Sequence, residues 1–287
     1  MKKLGVLLCM IVTFGAINAQ VKMNFEFDTP YGNNKQVGKY AEINGANIYY
    51  EEYGKGEPLI LIHGNSADLK TMGNQIDYFK TKFRVIAADS RGHGKSELKT
   101  DSLTYIQIAD DLAKLADHLK LDSYNIIGWS DGGIVGLLMG IRHQNRIDKI
   151  VAMGANLRPD TTAIYNWALN RWNERELHVN AMIETGDTSE NWSLIKQRRN
   201  MVLYQPYISH SDLQRIQCPV LIIAGDQDII REEHSVEIFQ NIPNAHLCIM
   251  PGETHFTPAS NPLYFNTIAE RFITETFTRP DSDLSKN

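Results

Sequence analysis

Ser130 stands at the centre of Gly128-Trp129-Ser130-Asp131-Gly132, directly after the apolar pair Ile126-Ile127. A Gly-x-Ser-x-Gly pentapeptide between a strand and a helix is the sequence context of a nucleophile elbow. Glycines at 128 and 132 leave room for a turn that a Cβ would obstruct. Such a turn lifts the serine hydroxyl clear of a sheet and aims backbone N–H groups at whatever the serine attacks. The chemistry is acyl transfer. A serine hydroxyl is a weak nucleophile near neutral pH, so it needs a base within hydrogen-bond reach and a third group to hold that base's tautomer.

Nine histidines compete for the role of base. His63 and His93 precede the serine, at a strand end and in the loop Arg91-Gly92-His93-Gly94. His118, His143 and His234 fall on expected helices, His178 and His210 in an inserted region, and His246 inside an expected strand. His255 alone follows the last expected strand, in Pro251-Gly252-Glu253-Thr254-His255-Phe256, and is the base of choice. The acid should end the strand before it, where Gly225-Asp226-Gln227-Asp228 stands. Asp228 lies farther into the loop and is freer to reach His255, whereas Asp226 suits loop backbone donors. Asp226-x-Asp228 resembles a metal pair only superficially, with no third ligand near in sequence, and no metal or cofactor is expected.

The charge that develops on the attacked oxygen needs backbone donors, each worth ~3 kcal/mol of transition-state stabilisation. The N–H groups of Asn65, after His63-Gly64, and of Asp131, at the start of a helix, are the candidates. The Asp131 carboxylate has two open readings. It complements a helix N-terminus, worth ~0.3–1 kcal/mol, or it meets a cationic substrate group, whose charge would cancel its repulsion of the oxyanion. Trp129 adjoins the elbow, as packing or as a substrate contact. His63, Arg91 and His93 are expected to shape the loops below.

These residues must be carried by strand ends. Apolar runs at 58–62, 83–88, 123–127, 149–153, 220–224 and 245–250, bounded by Gly, Pro and Asn, read as buried parallel strands. A hairpin around Asn44-Gly45 precedes them, and helical periods fill 103–119, 231–241 and 262–277. The sum is an α/β sheet with helices on both faces, whose sites lie at the carboxyl ends of strands. Residues 157–212 contain no convincing strand and are rich in helix formers and large apolar groups such as Trp167, Trp172, Trp192, Tyr204 and Tyr207. A structureless loop of that length is improbable, so a helical lid is expected there. Its aromatics are read as mostly lid core, with one or two lining the pocket. Residues 20–38 read as a polar, aperiodic linker, 39–277 as the catalytic domain and 278–287 as a mobile polar tail.

The first 19 of 287 residues read as an export signal: Met1-Lys2-Lys3, an apolar stretch to Ile17, then Asn18-Ala19-Gln20. An uncut anchor is the alternative, but the apolar run falls short of the roughly 20 residues a span needs. The expectation is an exported chain, periplasmic or secreted, with no stable membrane insertion after cleavage. Net charge is −5, or −7 once Lys2 and Lys3 are removed, which disfavours nucleic acid as partner. Cys218 and Cys248 open one strand and sit along another, and are expected to be unpaired and buried.

His63-Gly64-Asn65, Asp89-Ser90-Arg91-Gly92-His93-Gly94, the elbow at Ser130, Gly225-x-x-Asp228 and His255 follow the order and rough spacing of the α/β-hydrolase family, which the chain resembles from about Gly38 to Phe277. The resemblance implies a mostly parallel eight-stranded sheet with a lid after the sixth strand. It also implies nucleophile, acid and base roles for Ser130, Asp228 and His255. Within the family, Gly128-Trp129-Ser130-Asp131-Gly132-Gly133 with Met153-Gly154-Ala155-Asn156 is similar to the valacyclovir hydrolase (biphenyl hydrolase-like) group. That similarity implies hydrolysis of small esters, with α-amino acid esters favoured, and a small-molecule ester as partner. Carbon–carbon or thioester hydrolysis on the same triad is an alternative, as is a non-catalytic binding protein of the same fold.

Overall fold

The computed structural model of the chain describes residues 21–280 and residue 282; the expected export signal lies outside the described residues. Eight strands form one sheet: β1 (Lys39–Ile43), β2 (Ala46–Tyr53), β3 (Pro58–Ile62), β4 (Arg84–Ala88), β5 (Tyr124–Trp129), β6 (Ile147–Met153), β7 (Val220–Gln227) and β8 (Ala245–Thr254). Their order is β1-β2-β4-β3-β5-β6-β7-β8. β2 runs antiparallel to β1 and β4, and every other pairing is parallel. Asn44 and Gly45 take positive φ between β1 and β2, as a two-residue hairpin turn requires.

Alternate residues of the central strands divide between two cores. Ile60, Ile62, Ile126 and Ile150 face one cluster, and Leu59, Leu61, Ile127 and Val151 face the other. A period of two with both faces apolar is what a parallel sheet covered on both sides demands. The first face is covered by α2 (Tyr105–His118), α3 (Asp131–Arg142) and α7 (Glu232–Asn241); α1 (Gly73–Phe79) and α9 (Pro262–Thr274) cover the second. Between β6 and β7 the chain leaves the sheet as α4 (Asn166–Glu184), α5 (Trp192–Tyr204) and α6 (His210–Leu213). A short α8 (Thr257–Ser260) follows β8. Among the described residues no helix is long and apolar enough to cross a membrane. Cys218 and Cys248 are both free.

Three expectations need correction. Residues 21–38 are not a loose linker. Tyr31 is buried, and Phe25 and Phe27 pack against the core. The fully buried Glu51 carboxylate accepts from the Gly32 and Asn34 N–H groups and from the Tyr49 and Tyr53 hydroxyls. Four donors at one buried acid offset the cost of its desolvation and tie the arm to β2. Second, the lid aromatics are not mostly lid core. Trp167, Tyr204 and Tyr207 are 56%, 61% and 80% exposed, because the lid is a thin helical layer with an outer face of its own. Third, the tail is not free from residue 278. The Thr278 carbonyl accepts from His246, and Arg279 donates to the Pro243 carbonyl.

Candidate active site

β5 ends in Trp129, and the chain turns at Ser130 into α3. Ser130 adopts φ 58°, ψ −120°, a conformation that costs an L-residue energy and is held by its surroundings. Its N–H donates to the Met153 carbonyl of β6 at 2.7 Å. A Cβ on Gly128 would lie 2.1 Å from the Gly132 carbonyl oxygen, and one on Gly132 would lie 2.1 Å from that of Ile62. Both glycines are therefore required by the tightness of the turn.

His255 reaches the serine from the loop after β8. Its Nε2 lies 2.9 Å from Ser130 Oγ, and its Nδ1 lies 2.7 Å from Asp228 Oδ1. A carboxylate only accepts, so Nδ1 carries the proton and Nε2 is left as acceptor for the serine hydroxyl. Asp228 is buried and also accepts from the Ile230 N–H at 3.0 Å. Asp226 instead accepts from the Gly252 N–H at 2.9 Å, bracing the turn within β8. The two aspartates divide the work as the spacing suggested. Gly154, after β6, has φ +62°, and a Cβ there would sit 2.7 Å from the His255 ring. Trp129 packs beside the elbow, and its indole N–H donates to the His255 carbonyl at 2.7 Å.

Gly64 brings the loop after β3 against the nucleophile: a Cβ there would lie 3.2 Å from Ser130 Cβ. Among the described residues neither the Asn65 nor the Asp131 backbone N–H donates to a protein acceptor, and both residues line the cavity beside Ser130. This is the arrangement that two oxyanion donors need. His63 shapes the loop, donating from Nδ1 to the Gly64 carbonyl and accepting the Ser90 N–H at Nε2; burial pushes its pKa down. Arg91 holds the next loop, clasping the buried Asp111 at 2.6 and 2.9 Å and reaching the Ile43, Asn44 and Leu98 carbonyls. His93 is buried against His63, with ring centroids 5.3 Å apart.

The Asp131 carboxylate faces the cavity, and its hydrogen-bond partners are neutral. The Asn65 side-chain amide donates to it at 2.8 Å and at the same time to the Arg198 carbonyl of α5 at 3.0 Å. Burial pushes Asp131 up to about 6, while the Asn65 amide, the Tyr105 hydroxyl and the nearby His255 act in the opposite direction. The cavity measures ≈ 360 Å³. Trp172, Arg199 and Val202 of the lid line one part of it. Arg199 is neutralised by Glu176 at 3.1 Å, joining α5 to α4.

Met23 and Phe25 are among the lining residues that escaped the sequence reading. Their signal was there in Val21-Lys22-Met23-Asn24-Phe25-Glu26-Phe27, where every second residue is apolar. Tyr105, Arg199 and Val202 are further wall residues that only the fold singles out, and Trp172 is the lid tryptophan that it places at the cavity.

A family model described as alpha/beta hydrolase fold matches residues 57–177. The serine hydrolase BPHL of Homo sapiens is 29% identical over 247 residues, covering 80% of this chain and 84% of that protein. The 3-oxoadipate enol-lactonase 2 of Acinetobacter baylyi is 26% identical over 247 residues, covering 78% and 91%. Among solved structures, a hydrolase from Pseudomonas aeruginosa PA01 superposes with a TM-score of 0.70 at 21% identity, over 83% of this chain and 98% of its own.

Proposed function

We propose that the chain, which has the α/β-hydrolase fold, is a serine hydrolase that cleaves small carboxylic esters through an acyl-enzyme. The observation that carries this reading is the unbroken line Ser130 Oγ–His255 Nε2 and His255 Nδ1–Asp228 Oδ1, at 2.9 and 2.7 Å. In the proposed reaction His255 takes the hydroxyl proton as Ser130 attacks the acyl carbon. Asp228 holds the imidazole in the tautomer that accepts that proton and stabilises the imidazolium that forms. The N–H groups of Asn65 and Asp131 receive the oxyanion. The tetrahedral intermediate collapses, and His255 returns the proton to the departing alcohol. Water, deprotonated in turn by His255, then attacks the acyl-enzyme and releases the acid.

The favoured substrates in this reading are α-amino acid esters. Asp131 supports the assignment, being a buried carboxylate on the cavity wall whose two hydrogen-bonding neighbours, Asn65 and Tyr105, are neutral. A substrate ammonium would supply the missing counter-charge and relieve the repulsion between that carboxylate and the oxyanion. Export through residues 1–19 belongs to the same proposal; cell fractionation that finds the full-length chain in the cytoplasm would remove it.

The test is a panel of aminoacyl, short acyl and aryl esters, with Ser130→Ala as control. Loss of the nucleophile is expected to lower kcat by on the order of 10⁶-fold. Normal ester turnover by Ser130→Ala would refute the assignment, and a panel led by neutral esters would remove the amino acid preference alone.

A further inference from the structure

The arm at 21–27 borders the cavity through Met23 and Phe25. Its attachments are few and well placed. The Phe27 ring lies against Gly73 at the start of α1. Tyr31 is buried and donates to Asp77 of α1 at 2.5 Å. Farther toward the tip, the Asn24 N–H donates to the Ala259 carbonyl of α8 at 3.3 Å, and the Asn24 carbonyl accepts from the Asn74 side chain at 3.0 Å. Both backbone polar groups of Asn24 are thus satisfied by two different helices, and the arm spans from one to the other.

That span fixes which side chains face inward. Residues two apart on an extended chain share a side, and Met23 and Phe25 both line the cavity. Asn24, between them, turns its side-chain oxygen back to the Glu26 N–H. α8 begins two residues after His255, so the arm abuts the segment that carries the base and stands beside Phe256. Met23 is 43% exposed, so its outer edge meets solvent while its inner edge bounds the cavity.

We infer that residues 21–27 form a specificity wall, and that Met23 and Phe25 set how large an apolar group of the substrate fits beside Ser130. The inference rests on the proposed role of Ser130 as nucleophile. Both side chains are apolar, and neither offers a hydrogen bond to orient a polar substrate group. The part of the substrate that meets them is therefore an alkyl or aryl group, bounded in size by these two side chains.

The probe is a series of p-nitrophenyl alkylphosphonates from methyl to octyl. Ser130 Oγ bonds to phosphorus, the bond from phosphorus to the nitrophenyl oxygen breaks, nitrophenolate leaves, and the serine proton passes to His255. The readout is the octyl-to-methyl ratio of inactivation rate constants for the full chain. Phe25→Ala and Met23→Ala are each expected to raise that ratio by roughly five-fold, within what a few methylenes contribute in an apolar pocket. Phe25→Trp should lower it. Ratios unchanged within about two-fold in all three variants, with Ser130 still labelled, overturn the inference. Met23→Ala alters a half-exposed side chain, so a folding defect in Phe25→Ala does not remove the test. Ester turnover is scored separately: shifted phosphonate ratios in an enzyme that cleaves no ester uphold the wall and sink the esterase reading.

Discussion

The floor of the cavity and its walls are positioned by different means. Ser130, His255 and the Asn65 loop are placed by backbone: a positive-φ serine, glycines with no room for a Cβ, and an elbow N–H bonded to β6. The walls depend far more on side chains, each tie having a side chain at one end or, at Asn24, a single main-chain bond to α8. α5 meets α4 through Arg199 and Glu176, it meets the floor through Asn65, and the arm is held by Asn24, Phe27, Tyr31 and Glu51. A backbone-built floor leaves the reacting atoms little room to move. A wall built of side chains leaves its surface open to variation without disturbing that geometry. Chemistry and selectivity are thereby assigned to separate regions of the molecule.

The sharpest way to break this division is at the floor. Asp228→Asn keeps the shape but offers His255 the wrong partner for its tautomer, and is expected to lower kcat by about 10⁴-fold on every ester alike. Steady-state kinetics on two unlike substrates check this, and a loss confined to one of them would contradict the division. Gly154→Ala comes next. The new Cβ meets the His255 ring at 2.7 Å from a backbone of φ +62°, so the imidazole must shift. A displacement of that order costs about 100-fold in rate, while thermal stability falls only modestly. Wild-type kcat in this variant would mean that the floor yields more easily than its geometry implies.

Asp131 lies on the border, since its N–H belongs to the floor and its carboxylate to the wall. Asp131→Asn keeps the N–H and removes the charge. The kcat/KM ratio of aminoacyl to neutral esters of similar size is expected to fall about 10-fold or more, the worth of one charge-assisted hydrogen bond. Equal losses on both classes would return Asp131 to a purely structural role. pH offers a finer cut. Burial raises the carboxyl to about 6, so it is neutral below that pH and ionised above it. The preference for aminoacyl esters should therefore climb as pH rises through about 6 and decline above about 8, where an α-amino group loses its proton. The same raised value means that folding favours the protonated form. Ionising Asp131 draws on stability as pH rises from the ordinary carboxyl range through about 6, and a bound ammonium restores it.

How much of this was readable in the sequence follows the same border. Ser130 and His255 were legible because tight turns leave glycines behind and because strand order leaves one histidine after the last strand. Asp228 could be separated from Asp226 by reach alone, and each does what its place in the loop suggested. The arm was not legible. Its alternation from Val21 to Phe27 spans only four apolar residues, and nothing local says what they pack on. Glu51 reads as an ordinary strand carboxylate, and its burial depends on Gly32, Asn34, Tyr49 and Tyr53 arriving together. In the lid, composition announced helices. Which aromatic turns inward, Trp172 rather than Trp167, depends on how a thin layer sits on the sheet.

The Asn65 side chain has a consequence for timing. One amide nitrogen holds the Asp131 carboxylate and the Arg198 carbonyl of α5, on the residue whose main-chain N–H stands ready for the oxyanion. Were the lid to lift to admit a substrate or release a product, the Arg198 carbonyl would let go of that amide. The loop bearing the donor would lose a tether at the moment the cavity opens to bulk water. Readiness to react and isolation from solvent would then arrive and lapse together, with the docking of α5 as the link between them.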